Sequence, residues 1–132
     1  MFYYLKLYLA SLVVFFAVDM VWLGLVASSF YKKHLGYLMS PSVNWLAAII
    51  FYLLFIVGIL VFVVLPGIKE NSLPNTILRA VLFGLITYAT YDLTNLATVK
   101  DWPLMITLVD LGWGMVLSTI VSVAGFYVAK WL

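Results

Sequence analysis

The sequence predicts an all-α membrane protein, with four transmembrane helices in a compact bundle and a single domain over residues 1–132. Composition is the first reason: 67% of the 132 residues are hydrophobic and only 9% are charged, against about 25% charged residues in a soluble domain. Four apolar runs are the second reason, because each is long enough to meet the requirement of about 20 residues for a span. No Pro/Ser/Gly-rich linker or charged tail divides the chain.

The polar and turn-forming residues between the apolar runs set the expected boundaries of the spans. Small residues follow the first run as they follow a signal peptide, but Asp19 lies inside this run, which favours a retained span. Aromatic residues and lysines in the segment 28–36 are typical of a membrane interface. Asp101 is expected to cap the last helix, with Pro103 in its first turn. The spans are predicted at about residues 4–27, 43–65, 74–99 and 103–131.

Lysine and arginine in the short loops indicate the orientation in the membrane. One side carries Lys6, Lys69, Arg79 and Lys130, and the other carries Lys32, Lys33 and Lys100. Because positive charge is enriched in cytoplasmic loops, this distribution favours a multi-pass protein with both termini in the cytoplasm.

The third span has one polar face. On a wheel of 100° per residue, about half of the circumference is polar, and the other half carries Leu82, Ile86 and Leu93. A membrane helix turns such a face away from lipid, so we expect the third span to be the most enclosed and the second, which has no ionisable residue, the most lipid-exposed. The polar face consists of Gly84, Thr87, Tyr88, Tyr91, Asp92, Thr94, Asn95 and Thr98.

Three aspartates lie inside spans, each at a similar depth. Asp92 and Asp110 lie about 12 Å, and Asp19 about 16 Å, from the side that carries Lys32 and Lys100, at a rise of about 1.5 Å per residue. We therefore expect the three carboxyls to converge in one pocket. Because like charges at close range cannot all ionise, at least one should be protonated at pH 7 unless a cation is bound. The predicted ligand-binding residues are Asp19, Asp92, Asp110, Tyr88, Tyr91, Asn95, Thr94, Trp22 and Trp113.

Several classes of site are not indicated by the sequence. Cysteine is absent, the net charge of +2 is too small for a nucleic-acid footprint, and no phosphate loop or metal-ligand motif occurs. No metal site or cofactor is assigned, although three aspartates alone would favour a hard cation. Gly114 and Ser118 have the small-xxx-small spacing of closely packed helices. We interpret this pair as packing within the chain in preference to a homodimer face, although a carrier of only four spans would need to dimerise.

The chain resembles a bacterial membrane-protein family catalogued as Domain of Unknown Function 2177. The resemblance rests on four motifs, Asp-Met-Val-Trp-Leu-Gly at 19–24, Tyr-Asp-Leu-Thr-Asn-Leu-Ala-Thr at 91–98, Trp-Pro at 102–103 and Asp-Leu-Gly-Trp-Gly at 110–114. The residues between the motifs that also carry it are Tyr31, Leu35-Gly36-Tyr37, Phe51-Tyr52, Gly58 and Pro66. It implies a four-span protein of the bacterial inner membrane, but no particular activity or cofactor. Genes that neighbour some members favour a lipid or small amphipathic ligand.

Three functions from different classes remain open. The pocket binds or carries a cation, a proton-linked solute or a small amphipathic or lipid ligand. Alternatively, the protein is a membrane-embedded enzyme or accessory subunit in lipid modification, with an aspartate as acid or base. In the third interpretation the aspartates only join helices, with about 0.6 kcal/mol per hydrogen bond.

Overall fold

The computed structural model describes residues 1–132 and confirms the predicted all-α fold with four helices able to cross a membrane. The four spans are Phe2–Leu35, Trp45–Glu70, Leu73–Thr98 and Leu104–Trp131. Two of them contain a π-helical turn. The helical elements are α1 (Phe2–Trp22), a π segment (Leu23–Ala27), α2 (Ser28–Leu35), α3 (Trp45–Ile59), a π segment (Leu60–Val64), α4 (Leu65–Glu70), α5 (Leu73–Thr98) and α6 (Leu104–Trp131).

The first two spans are longer than the sequence predicts. The expected interface segment 28–36 is helical as far as Leu35, so the first span continues for two further turns. Pro66 does not end the second span, which runs to Glu70. Proline is tolerated here because Pro66 falls in the first turn of α4, directly after the register of the helix has changed at the π segment.

The predicted cap of the last helix is wrong. Asp101 has a positive φ of 60° and lies in the turn that precedes α6. The N-cap position is occupied by Pro103, which makes no capping hydrogen bond from its side chain. Instead, the backbone carbonyl of Asp101 accepts a hydrogen bond from the Tyr37 hydroxyl at 2.6 Å. This bond ties the loop after the first span to the turn before the fourth span.

Both chain termini lie at one end of the bundle. There the Tyr3 hydroxyl donates to the Ala129 carbonyl at 3.1 Å, which joins the first turn of the first span to the last turn of the fourth. We call this the terminal end, and we call the opposite end, where residues 36–44 and 99–103 connect the spans, the distal end. The turn at Asn71 and Ser72 connects the second and third spans at the terminal end.

The third and fourth spans form the most extensive helix–helix contact in the bundle. Two glycines permit it. A methyl group added to Gly84 would overlap the backbone carbonyl of Gly114, and one added to Gly114 would overlap the Tyr88 ring. Gly114 and Ser118 are both buried inside the chain. The small-xxx-small pair therefore serves intramolecular packing.

The second span is not the most exposed, and the third is not the most enclosed. In its most apolar stretch, the second span buries 33% of its residues, and the third span buries 22%. The expectation is wrong because the apolar core is built largely from large side chains of the second span, such as Phe55, Ile56 and Ile59. One side of the third span packs on the fourth, and its apolar half is exposed.

The second and third spans separate toward the distal end. Their backbones approach each other at the π segment Leu60–Val64 and at α4, toward the terminal end. Farther along, Phe55 fills the space between the helices, with its ring centroid 5.4 Å from Phe83 and 6.3 Å from Tyr88. On the distal side of Phe55, the gap between the second and third spans remains open.

Candidate functional site

Asp92 and Asp110 face each other across the contact between the third and fourth spans. Asp92 is fully buried, and neither of its carboxyl oxygens has a hydrogen-bond donor. Its immediate polar neighbour is the Asp110 carboxyl. Two ionised carboxylates can only accept hydrogen bonds, and leaving a buried charge without a partner is costly. The pair is satisfied when it holds a proton or when a donor reaches it from outside.

Asp110 is held in place from the distal side by Tyr31. The Tyr31 hydroxyl donates to Asp110 Oδ1 at 2.5 Å. Tyr31 belongs to α2, which follows the π segment Leu23–Ala27. Such single-turn π segments are frequent at functional sites, and this one sets the face that α2 presents to the fourth span.

Asp19 lies near Asp110 and has its own hydrogen-bond partner. The Tyr52 hydroxyl of the second span donates to Asp19 Oδ2 at 3.3 Å, and the Trp113 indole lies beside the same carboxyl. Asp110 interacts with both of the other acids. The structure thus brings together Asp92 and Asp110 as a pair, with Asp19 in a neighbouring position.

Trp22 and Trp113 stack on each other behind the acids. Their ring centroids are 4.3 Å apart and their planes are inclined by 6°. Each indole lies three residues after an aspartate in the same helix, so two antiparallel helices bring equivalent positions together. The stack is part of the wall of an apolar groove on the opposite surface, together with Val21 and Leu25.

A partly open cavity of about 350 Å³ reaches Asp110 from the gap between the second and third spans. Its other walls come from Phe51 on the second span and from Thr87, Tyr88 and Tyr91 on the third. Most of this lining is apolar. Cavities of about 300–1,000 Å³ with a few polar groups are typical of small-molecule sites.

Tyr88 is the residue that relates the cavity to all three acids. Its side chain lines the cavity and lies within the electrostatic influence of Asp110, Asp19 and Asp92. A molecule bound in the cavity would therefore contact Tyr88 and lie near the carboxyl cluster.

Six of the nine predicted site residues do not line this cavity, and only Asp110, Tyr88 and Tyr91 do. Thr94 is exposed and donates to the carbonyls of Thr90 and Tyr91 in its own helix. Asn95 is half-buried and does not line the cavity. The Thr107 hydroxyl, also buried in the fourth span, accepts a hydrogen bond from Trp102 Nε1 at 3.1 Å.

The three aspartates do not form a set of metal ligands. No group of three or more histidine, aspartate or glutamate side chains comes together in a geometry that could hold a metal ion. A hard cation bound by all three acids therefore does not fit this arrangement.

Tyr31, Tyr52 and Phe51 belong to the site but were not predicted as site residues. Tyr31 lies in the segment that was expected to be an interface loop, and one extra residue in a π turn rotates the next helix by about 100° relative to a regular helical wheel. Tyr52 had a signal in the sequence, because it is the only hydroxyl-bearing side chain in the second span. Phe51 is among the residues that carry the family resemblance, but its apolar side chain gives no chemical reason to place it in the site.

A family model described as a predicted membrane protein, Domain of Unknown Function 2177, matches residues 4–127. The chain belongs to this family. The match includes all four motifs on which the resemblance rests and every residue of the site. No curated protein and no solved structure is significantly similar to the chain.

Proposed function

We propose that the protein binds a small amphipathic molecule within the membrane, with a cationic or hydrogen-bond-donating head at Asp110 and an apolar tail between Phe51 and Tyr91. The observation that carries this proposal is the position of Asp110. This carboxyl lies in the wall of a largely apolar cavity, and behind it lies a fully buried carboxyl, Asp92, without any donor.

The walls of the cavity favour an amphipathic ligand over a free ion. An ion needs several oxygen ligands around it, whereas this cavity offers one carboxyl among aromatic side chains. Phe51 and Tyr91 are both exposed at the mouth of the cavity, which faces the lipid between two separating helices. A ligand with an alkyl tail can enter from the bilayer without crossing water.

A primary amine fits the polar end of the cavity best. It supplies N–H donors and a positive charge. A pair of carboxyls needs both, because ionised carboxyls only accept hydrogen bonds and repel each other. We assign a second polar atom of the same head to the hydroxyl of Tyr88, whose side chain lines the cavity. In this arrangement Asp92 keeps a proton and supports the Asp110 carboxylate from behind.

The experiment uses octylamine as the probe, since alkylamines are protonated at pH 7 like a lysine side chain. Octanoate, which has a tail of the same length and the opposite charge, is the control ligand. We expect calorimetric titration of the protein in lipid nanodiscs to show saturable binding of octylamine only. In Asp110→Asn the affinity should fall about tenfold or more, because a charge-assisted bond worth about 1.5–3 kcal/mol is lost.

The control variant is Asp101→Asn, which removes an exposed acid from the distal loop. It should bind octylamine like the unmodified protein. If Asp110→Asn and the unmodified protein bind octylamine equally well, the carboxyl is not the ligand site, and helix joining remains the role of the aspartates.

A membrane-embedded acid–base enzyme is the second candidate, and the Asp92–Asp110 pair favours it. Two adjacent carboxyls that share one proton can serve as acid and base toward the same substrate. In such an enzyme Asp92→Asn would abolish turnover of a lipid substrate while octylamine binding at Asp110 persisted. If the protein is only a binding protein, Asp92→Asn should leave octylamine binding within about threefold, because the amide can still donate to the Asp110 carboxylate.

We also propose that the protein resides in the bacterial inner membrane with both termini in the cytoplasm. The support is the lysine and arginine distribution of four against three residues. Reporter fusions at Met1 and Leu132 should both give cytoplasmic signals. A periplasmic signal from both would show that the protein has the opposite orientation.

A further inference from the structure

A second cavity, at the terminal end, combines charged and apolar walls. It has a volume of about 430 Å³ and is lined by Glu70, Asn75, Leu78, Arg79 and Leu82. It lies on the outside of the bundle, where the second span ends and the third begins. It shares no residue with the cavity at Asp110.

An ion pair forms the polar wall of this cavity. Arg79 donates to Glu70 Oε1 at 2.5 Å, and the Asn75 amide donates to Glu70 Oε2 at 2.9 Å. Both charged side chains are about 40% exposed. The guanidinium has five N–H donors, so Arg79 can bind a further anion while it remains paired with Glu70.

The apolar wall extends from the level of Arg79 toward the bilayer centre. Arg79 is six residues into the third span, or about 9 Å from its start at a rise of about 1.5 Å per residue. Leu78 lies at nearly the same depth and Leu82 is one turn farther in, and their exposed fractions are 67% and 53%. The cavity thus runs from Glu70 at the end of the second span, past Arg79, to Leu82, and this order from charge to apolar side chain matches the order of groups along a phospholipid.

We propose that this cavity binds a phospholipid whose headgroup carries a primary amine beside its phosphate. Arg79 binds the phosphate, Glu70 accepts hydrogen bonds from the ammonium group, and Leu78 and Leu82 contact the acyl chains. The headgroup and the ion pair are each overall neutral, with opposite charges side by side, so the two are complementary. A choline headgroup has no N–H to donate to Glu70, and a glycerol headgroup has no positive charge.

The experiment measures lipid selectivity with the full chain. Native mass spectrometry of the protein in an equimolar mixture of phosphatidylethanolamine, phosphatidylcholine and phosphatidylglycerol reports which lipids remain bound. We expect the ethanolamine lipid to be enriched about threefold over the choline lipid, in line with the strength of one exposed ion pair. Equal retention of these two lipids would overturn the proposal.

Two variants separate the roles of the charged residues. Glu70→Gln should abolish the preference for the amine and raise retention of the anionic glycerol lipid. Arg79→Gln should lower retention of all three lipids, and Arg79→Lys should restore part of it. Lys69→Gln is the control, since it removes an exposed positive charge next to Glu70 that is outside the cavity. If Glu70→Gln keeps the preference of the unmodified protein, the assignment is wrong.

A soluble headgroup distinguishes a lipid from a free small molecule. Glycerophosphoethanolamine has the same phosphate and amine without acyl chains. At equal concentration it should not displace the lipid, because it cannot contact Leu78 and Leu82. Displacement at equal concentration would overturn the role of the acyl chains and assign the cavity to a free phosphoamine.

Discussion

In the terminal half of the bundle, small hydroxyl-bearing side chains are packed between the helices. Ser11, Ser118 and Ser122 are at most 1% exposed and have no hydrogen-bond partner. In the distal half, three carboxyls lie among tyrosines, and Tyr31 and Tyr52 donate to them from two different helices. A cavity remains open there between the second and third spans.

This difference shows how one short bundle combines rigidity with a polar site. In the terminal half, glycine and serine allow helix backbones to approach until little space remains, as at Gly125, where an added methyl group would lie 3.1 Å from Val64 and 3.3 Å from Ser11. Close packing of this kind is a main source of stability between membrane helices. In the distal half, bulky aromatic side chains separate the second span from the third and leave room for a ligand. We expect substitutions in the two halves to affect different properties.

The largest effect on stability is expected at the crossing of the third and fourth spans. Gly84→Ala should lower the free energy of unfolding by about 3 kcal/mol, at the upper end for overpacking, because the new methyl group would overlap the Gly114 backbone. Denaturation with sodium dodecyl sulfate in mixed micelles measures the change. Gly112→Ala is the control, since no atom lies within 4 Å of a methyl group added at this position. Equal stability of the two variants would contradict the close crossing.

A smaller effect is expected where Tyr31 meets Asp110. Tyr31→Phe removes the hydroxyl that donates to Asp110 Oδ1, and the free energy of unfolding should fall by about 2 kcal/mol, as for a hydrogen bond to a charged group. Tyr37→Phe removes a bond to a backbone carbonyl in the exposed distal loop and should change stability by less than about 1 kcal/mol. If the free energy of unfolding falls equally in both variants, the Tyr31–Asp110 bond stabilises the bundle no more than the loop contact of Tyr37 does.

The smallest effect, with the opposite sign, is expected from a buried serine of the terminal half. Ser118→Ala should raise the free energy of unfolding by about 1 kcal/mol or less, because it removes a buried hydroxyl without a partner. Thr119→Ala is the matched control on the same helix, since the Thr119 hydroxyl donates to the Met115 carbonyl at 2.7 Å, and this variant should gain nothing. A loss of stability in Ser118→Ala would indicate that an ordered water or another group satisfies this hydroxyl.

Apolar run length was sufficient to predict the four spans. Run length reflects the thickness of the bilayer, so it fixes the number of spans. It could not predict that the helix continues from Ser28 to Leu35, because interfacial composition is compatible with both a helix and a loop.

The details of the site depend on features that a regular helical wheel omits. Tyr31, which contacts Asp110, follows a π segment that changes the register of the first span. Asn95 lies on the polar face of the third span but not in the cavity, since the cavity depends on where the second span separates from the third. That separation follows from side-chain packing between helices, which periodicity within one helix does not describe.

Photo-crosslinking with an alkylamine that carries a diazirine in its tail tests the proposed binding site most directly. After irradiation of the protein in nanodiscs, peptide mass spectrometry locates the modified residues. We predict modification at Phe51, Tyr88 and Tyr91, with competition by octylamine and none by octanoate. Modification spread over the lipid-facing residues of the second span, or concentrated at Val21 and Leu25 in the opposite groove, would contradict an amine-binding cavity at Asp110.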